Sequence, residues 1–295
     1  MNAADGGTDG GTDGGTNGGT DGETLRDDLG GELRRSRPPR RVVSLVPSLT
    51  EAVAASAPHL LVGATDWCSH PADLDVERVG GTKNPRIGQI TALAPDLVLA
   101  NEEENRAADL DALRRAGVPV WVTEVRTLDQ AFASLHRMLT LACGLDRPAW
   151  LDAAQAAWAA VRPAAAQAAT AGAAEAPRPR PGSRTAIVPI WRRPWMVLGR
   201  DTFAGDLLRR LGLANAYAGH QERYPAVPLD ELRGCGADLV VLPDEPYAFT
   251  RDDGPEAFPA LPAALVSGRH LTWYGPSLVE APAVLGRRLA EVIVN

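Results

Sequence analysis

The sequence contains few cysteines, and the three that are present, Cys68, Cys143 and Cys235, include no Cys-x-x-Cys pair. An odd number of widely spaced cysteines predicts neither a disulfide framework nor a thiolate zinc site, so we expect reduced thiols. Long apolar runs are also missing, and nowhere do about 18 apolar residues follow one another, the length that a membrane-spanning helix requires. The sequence therefore predicts no membrane span.

An excess of positive charge is absent as well. Lysine and arginine total 30 against 37 aspartate and glutamate residues, which gives a formal net charge of −7. Nucleic-acid binding needs a basic surface for the phosphates, so this class of partner is excluded. The sequence shows no Gly-x-Ser-x-Gly, P-loop or Gly-x-Gly-x-x-Gly motif. We expect a protein that is not an enzyme and holds no cofactor.

The N-terminal residues lack the features of a targeting segment. Residues 6–21 repeat GGTD and GGTN without an apolar side chain, and we predict a disordered tail over 1–39. Twin arginines do precede an apolar run within residues 34–57, but Pro47 and Glu51 interrupt that run, and it fits a strand followed by a helix. We therefore expect a cytoplasmic location, or a periplasmic or cell-surface one if the start site is misassigned.

Short apolar strands alternate with helical patterns along most of the chain. This alternation predicts α/β architecture with parallel sheets. An alanine-rich, strongly helical stretch divides the pattern, and 295 residues suffice for two domains. We predict an N-terminal α/β lobe over 40–126, a linking helical backbone over 127–176 and a C-terminal α/β lobe over 177–295. A long helix is expected within the linking backbone, and it would span about 35 Å if 148–170 form one kinked helix.

Two strands of this pattern end in acidic residues. The segment APDLVLANEEEN reaches Glu102, Glu103 and Glu104, and its echo GADLVVLPDEPY reaches Asp244. Ligands of open parallel sheets gather beyond the carboxyl ends of the strands, so both acidic segments are expected to face one crevice between the lobes.

Several segments carry a family resemblance: RVVSLVPSLTEAV, LVGATDWCSHP, RVGGTKNPRIGQITALAPDLVLA, GVPVWVTEVRTLDQ and, near the C-terminus, WYGPSL. Together they resemble the class III substrate-binding proteins, the helical-backbone family that delivers cobalamin, ferric siderophores, haem or metal ions to ABC importers. The cobalamin branch is the most similar. The resemblance implies two Rossmann-like lobes with parallel sheets joined by a single long helix, and a monomer that binds a corrinoid or ferric siderophore between the lobes.

The resemblance also implies docking on an ABC permease through one acidic residue on each lobe. The second-lobe position falls at Asp230 or Glu231, whereas the first-lobe position falls near Gly88. Half of the docking pair is therefore missing, and together with the missing signal peptide this favours a form that does not feed an importer.

The candidate ligand-binding residues are aromatic, charged or polar side chains in loops that follow strands. Trp67, Trp273 and Tyr274 match aromatic positions of the family, and a flat ring can pack against a macrocycle. Arginine can also fork onto a carboxylate or pair with the acidic residues across the cleft. The full set is Pro47, Ser48, Trp67, Glu102, Glu103, Asn105, Trp191, Arg192, Arg193, Trp195, Tyr247, Trp273 and Tyr274.

A direct metal site remains an alternative. His70 and His270 are the histidines nearest to the candidate aromatics, and either could join Glu102 or Asp244 as a ligand. No close His-x-x-x-His pair supports this reading, so no metal ligands are assigned. The alternative function is a metal-binding protein or a metal-dependent, chelatase-like enzyme on the same scaffold.

Overall fold

The computed structural model describes residues 23–161 and 184–293. The first lobe is built on a five-stranded, fully parallel sheet in the order β5-β4-β3-β8-β9. In chain order its strands and helices are β1 (Glu23–Arg26), β2 (Glu32–Arg35), β3 (Val42–Ser44), α1 (Pro47–Ser56), β4 (Leu61–Ala64), β5 (Glu77–Arg78), β6 (Gly80–Gly81), β7 (Asn84–Pro85), α2 (Ile87–Ala92), β8 (Leu97–Asn101), α3 (Ala107–Arg115) and β9 (Val120–Thr123).

The second lobe is built on a four-stranded parallel sheet in the order β13-β10-β14-β15. In chain order its strands and helices are β10 (Arg184–Ile187), β11 (Pro189–Arg192), β12 (Trp195–Val197), α6 (Phe203–Arg210), β13 (Leu213–Asn215), α7 (Leu229–Gly234), β14 (Leu239–Pro243), β15 (Ala263–Val266), α8 (Gly268–Thr272) and α9 (Ala281–Ala290). Between the lobes run α4 (Leu128–Arg137) and α5 (Ala149–Ala159), with a π-helical turn over Met138–Ala142 after α4.

The central strands are buried on both faces. Every residue of β8, β9 and β14 is buried, as is typical of parallel strands that helices cover on both sides. The predicted fold class, two lobes with parallel sheets, is confirmed.

Two helix starts show how local sequence sets the elements. Thr127 caps α4 by accepting the amide proton of Gln130, and Thr202 caps α6 by accepting that of Gly205. At α1, Pro47 occupies the first helical position, so Val46 is the N-cap residue and Ser48 lies inside the first turn.

The linking backbone is shorter, where described, than the kinked helix expected over 148–170. Helix α5 ends at Ala159, and its 11 residues span about 16 Å. The remaining residues of the predicted linking backbone, 162–176, lie outside the described residues. In the described part, α5 packs against the second lobe, where the Trp158 indole donates to the Leu278 carbonyl at 3.0 Å.

The predicted disordered tail also differs from the structure. Strands β1 and β2 form an antiparallel hairpin that buries Leu25 and Leu33. Its turn lies on the outer edge of β9: the Asp28 amide donates to the Val122 carbonyl at 3.2 Å, and the Val122 amide donates to Asp27 at 3.2 Å. The Asp28 carboxylate accepts from the Glu124 amide, Ser134 and Arg137, so disorder is wrong for residues 23–35.

A buried carboxylate anchors α6 of the second lobe to the start of α4. Asp206 accepts from the Leu128 amide at 3.0 Å, from Arg209 at 2.5 Å and from Arg210 at 2.9 Å. Burial favours the neutral form of Asp206, but these donors together outweigh burial and hold the pKa of Asp206 below the usual aspartate range.

This anchor predicts a pH-dependent loss of stability in Asp206→Asn. A lowered folded-state pKa contributes stability that is present above the unfolded-state pKa and is lost as the pH falls. We expect the variant to lose about 2–3 kcal/mol of unfolding free energy at pH 7, and the difference from wild type to shrink below about pH 4. Urea unfolding between about pH 3.5 and 7 measures both effects.

Asp129→Asn serves as the matched control, since Asp129 also pairs with Arg210, at 2.8 Å, but its side chain is 79% exposed. We expect this control to lose less than about 1 kcal/mol. Equal losses in the two variants, or an Asp206→Asn loss that does not change with pH, would contradict the anchoring role.

Candidate functional site

The candidate site lies where the carboxyl ends of the two parallel sheets approach each other. In the first lobe Trp67 follows β4 and Glu102 follows β8. In the second lobe Trp191 lies in β11, directly after β10, and Asp244 follows β14. Because every strand of each main sheet is parallel, the loops after these strands emerge at one edge of each lobe.

The acidic run after β8 meets the second lobe through an arginine and a tyrosine. Arg223 forms an ion pair with Glu103, and its Nη1 lies 3.7 Å from a Glu102 oxygen. The Tyr224 hydroxyl donates to Glu103, with distances of 3.1 and 3.2 Å to its two oxygens. Glu103 is therefore a direct link between the lobes.

Asparagines shape the acidic run into a turn. The Asn101 side-chain oxygen accepts from the amides of Glu103 at 2.9 Å and Glu104 at 3.2 Å. Asn105 is buried, and its amide group donates to the carbonyls of Leu45 at 3.3 Å and Thr82 at 3.0 Å. Asn105, predicted to bind ligand, thus holds the loops of the first lobe together in this structure.

One half-buried carboxylate on each lobe has a raised pKa. Burial raises the pKa of Glu103 against the opposing effects of Arg223 and Tyr224. Burial likewise raises the pKa of Glu245, against a hydrogen bond of 2.9 Å from the Trp273 indole. Each of these two carboxyl groups therefore keeps its proton up to a higher pH than it would in water.

Two aromatic side chains at the strand ends remain exposed. Trp67 is 68% exposed and Trp191 is 42% exposed. Among the large hydrophobic side chains that are exposed in the described residues, these two are aromatic. The Trp191 ring makes an edge contact with Tyr247 at 5.6 Å between centroids. The predicted residues Trp191 and Tyr247 are therefore brought together, on the lobe opposite Trp67.

Arg192 and Trp195 turn away from Trp191 into their own lobe. They lie opposite each other across the β11-β12 hairpin, hence on one face, whereas Trp191 pairs with Met196. Arg192 forms ion pairs with Asp253 and Glu256. The Trp195 ring stacks on Phe249 and meets Phe258 edge-on.

The idea that Arg192 or Arg193 pairs with Glu102–Glu104 is therefore wrong. Arg223 takes that place. Arg193 is exposed, and its side chain has no acidic partner among the described residues. Arg223 and Tyr224 were not selected from the sequence, because the segment ERYP that contains them matches no motif. The only feature that could have indicated them is a positive charge in the lobe opposite an acidic run.

Other predicted residues lie beneath the contact between the lobes. Trp273 and Tyr274 are each 7% exposed, and the Trp273 ring meets His70 of the first lobe edge-on at 5.5 Å. Ser48 is buried, and its carbonyl lies so near Gly275 that a Cβ there would come within 3.0 Å of it. Ligand contact with Ser48, Trp273 or Tyr274 therefore requires the lobes to separate. Pro47 is half-buried, so part of its side chain is accessible without such a movement.

A buried ion pair joins the lobes beside these residues. Glu51 of α1 accepts from Arg269 of α8, whose Nε lies 3.1 Å from the carboxylate, and the Glu51 side chain is only 8% exposed. Arg269 also lies 3.3 Å from Glu280. The lobes thus meet through charged contacts at two places, Glu103 with Arg223 and Glu51 with Arg269.

No group of three or more histidine, cysteine, aspartate or glutamate residues that could hold a metal ion occurs within 23–161 and 184–293. His70 packs on Trp273, while His270 contacts Ser267 and Glu280 at 2.8 and 2.9 Å. Across the same residues no helix combines the length and apolar character that crossing a membrane requires.

Two parallel α/β lobes with facing strand ends and helices between them define a two-lobed binding protein. Residues 42–259 match the family model described as periplasmic binding protein, and the chain belongs to this family. The resemblance noted in the sequence is thereby confirmed.

Curated relatives match about a third of the chain. The vitamin B12-binding protein of Pectobacterium carotovorum subsp. carotovorum (strain PC1) is 35% identical over 104 residues, which are 35% of this chain and 38% of the relative. The vitamin B12-binding protein of Vibrio parahaemolyticus serotype O3:K6 (strain RIMD 2210633) is 30% identical over 105 residues, 35% of this chain and 38% of the relative. The chain thus matches well under half the length of either relative.

Solved structures match over most of the chain. The periplasmic vitamin B12 binding protein BtuF of Vibrio cholerae aligns with a TM-score of 0.61 and 19% identity, covering 86% of this chain and 97% of that one. The periplasmic heme-binding protein BhuT, in complex with two hemes, aligns with a TM-score of 0.66 and 24% identity, covering 86% and 99%. At these identities the likeness shows the shared fold.

The expected cytoplasmic location is wrong. It rested on the missing targeting features of the N-terminal residues, whereas the family is that of the periplasmic binding proteins, and the solved BtuF and BhuT structures are described as periplasmic. The members of this family bind substrates and are not enzymes, which fits the expectation that this chain performs no catalysis.

The link between the lobes can be tested by a double-mutant cycle with Glu103→Gln and Arg223→Gln. Both side chains are mostly shielded from water, 26% and 19% exposed, so their interaction is weakly screened. We expect a coupling energy of about 1–2 kcal/mol in urea unfolding.

The exposed pair Asp111 and Arg114 is the matched control, with side chains 56% and 42% exposed and 3.2 Å apart. Its coupling should stay below about 0.5 kcal/mol. A Glu103–Arg223 coupling no larger than that of the control would mean that the pair does not hold the lobes together.

Proposed function

We propose that the chain is a substrate-binding protein that takes up a bulky, metal-bearing small molecule, a corrinoid or a ferric siderophore, in the cleft between the lobes. The observation that carries the proposal is the pair of exposed tryptophans, Trp67 and Trp191, which follow strand ends of opposite lobes. Large exposed aromatic rings are costly to leave in water and suit a broad, flat ligand.

The neighbouring groups support the same ligand class. Tyr247 backs Trp191 at 5.6 Å, which fixes the orientation of the Trp191 ring. Glu102, Glu103 and Glu245 supply acceptors for the amide or hydroxyl donors of a large polar ligand. A ligand that brings its own metal needs no cluster of protein metal ligands, and corrinoids come first because the curated relatives are vitamin B12-binding proteins.

The alternative, a metal-binding protein or chelatase-like enzyme, receives no support from the described side chains. The cytoplasmic location was one of the two reasons against an importer, and it is wrong, so delivery to an ABC permease belongs to the proposal as well. Asp230, at the start of α7, has a 95% exposed side chain, and Glu231 beside it is exposed, so both are accessible to a docking partner. We propose that the chain acts as a monomer in this role.

The test is titration of the purified protein with cyanocobalamin, hemin and a ferric hydroxamate siderophore, followed by calorimetry and tryptophan fluorescence. We expect one of these to bind with 1:1 stoichiometry. Trp67→Ala and Trp191→Ala should each weaken that binding about 10-fold or more, since aromatic anchors in a binding site contribute on the order of 2 kcal/mol.

Leu29→Ala is the control, because Leu29 is a 51% exposed apolar side chain in the turn between β1 and β2 and is not one of the candidate ligand-binding residues. Its affinity should equal that of wild type. Binding that survives in the double variant Trp67→Ala, Trp191→Ala would place the ligand elsewhere, and no binding of any of the three probes would reject the proposed ligand class.

A further inference from the structure

The start of the first sheet carries a basic surface at the end opposite the cleft. Residues 34–41 read RRSRPPRR, five arginines in eight residues of a chain whose net charge is −7. Strand β3 begins directly after them at Val42, and in a parallel sheet the starts of the strands lie at the edge opposite their carboxyl ends. We call Arg34, Arg37 and Arg40 the basic face.

The guanidiniums of the basic face are poorly neutralised. Arg34 and Arg40 are exposed, and their side chains have no hydrogen-bond or ion-pair partner among residues 23–161 and 184–293. Arg37 has a side chain that is 67% exposed and approaches Asp96 only to 3.8 Å. A protein with an acidic surplus thus leaves Arg34 and Arg40 without a carboxylate partner among the described residues and gives Arg37 only a long ion pair.

Three arginines converge on one hollow. Arg34, Arg35 and Arg37 line a depression of about 140 Å³ together with Asp96 and two prolines, Pro38 and Pro39. Arg35 is held in place, with its guanidinium 3.5 Å from the Ala142 carbonyl and 3.4 Å from Glu23. The hollow is large enough for one phosphate group and its nearest water molecules.

The backbone beneath the basic face is fixed before any partner arrives. One Asp96 oxygen accepts from the amides of Arg40 at 2.8 Å and Arg41 at 3.0 Å. The Arg41 guanidinium donates to the Leu93 carbonyl at 2.8 and 3.0 Å, and the prolines restrict the backbone between Arg37 and Arg40. Binding would therefore have to order only the exposed side chains, which lowers its entropic cost.

We propose that the basic face binds the surface of an anionic phospholipid membrane, with one headgroup phosphate at the hollow. Arginine forks onto phosphate oxygens, and clustered arginines attract anionic lipid. A membrane suits this surface better than a single soluble anion does. Arg40 does not line the hollow, so one phosphate bound there cannot contact all three guanidiniums of the basic face. Docked in this way, the protein would keep its cleft directed away from the lipid.

The experiment is sedimentation of the full-length protein with vesicles of phosphatidylcholine alone and with about 30% phosphatidylglycerol. We expect binding to the anionic vesicles only, and weaker binding as the salt concentration rises. The variant Arg34→Gln, Arg37→Gln, Arg40→Gln should lose on the order of 100-fold in partitioning, since each arginine near an anionic surface contributes a several-fold effect.

The matched control is Arg115→Gln, Arg251→Gln, Arg287→Gln, which removes the same charge at three exposed arginines elsewhere. It should bind vesicles within about 3-fold of wild type. Equal loss in both variants, or no wild-type binding to anionic vesicles at low salt, would overturn the proposal. So would saturable binding of inorganic phosphate, lost in the basic-face variant, without vesicle binding. Each variant is also titrated with the probe, cyanocobalamin, hemin or the siderophore, that binds wild type. Unchanged binding of that probe shows that the loss of vesicle binding does not arise from the cleft.

Discussion

The parallel direction of the strands is the constraint on which the site depends. In both main sheets each strand runs the same way as its neighbours, so chemically unrelated loops reach one edge of each lobe. Trp67 and the acidic run belong to different strands of the first sheet, and Trp191 and Glu245 follow different strands of the second. None of these side chains is near its site partners in sequence, and sheet topology alone brings them together.

The lobes share an apolar core with the linking helices, and polar contacts join them as well. Glu103 meets Arg223 and Tyr224, Glu51 meets Arg269, and Asp206 receives the Leu128 amide. The polar contacts help to define one relative position of the lobes because hydrogen bonds and ion pairs depend on geometry. They are also replaceable, since a ligand or water can satisfy the same groups when the lobes move apart.

The sequence predicted those features that depend on local pattern. Strands β8 and β14 were evident because each begins with four successive apolar residues and runs out into acidic residues. The hairpin was missed because its two buried leucines, Leu25 and Leu33, stand alone among polar residues and give no periodic signal. The pairing of Arg223 with Glu103 was missed because it joins residues 120 positions apart, which no local pattern encodes. The two faces of the β11-β12 hairpin were likewise invisible, since they depend on the register that separates Trp191 from Arg192.

The hairpin that lies on β9 has a consequence for the solution behaviour of the protein. Strand β9 is the terminal strand of its sheet, and an uncovered terminal strand offers free amides and carbonyls to any extended peptide. Asp27 and Asp28 occupy the Val122 groups on that side, in residues that precede the part of the chain matching the family. The hairpin therefore blocks the addition of another strand at the edge of β9. At high protein concentration this favours separate molecules over fibrils or domain-swapped dimers.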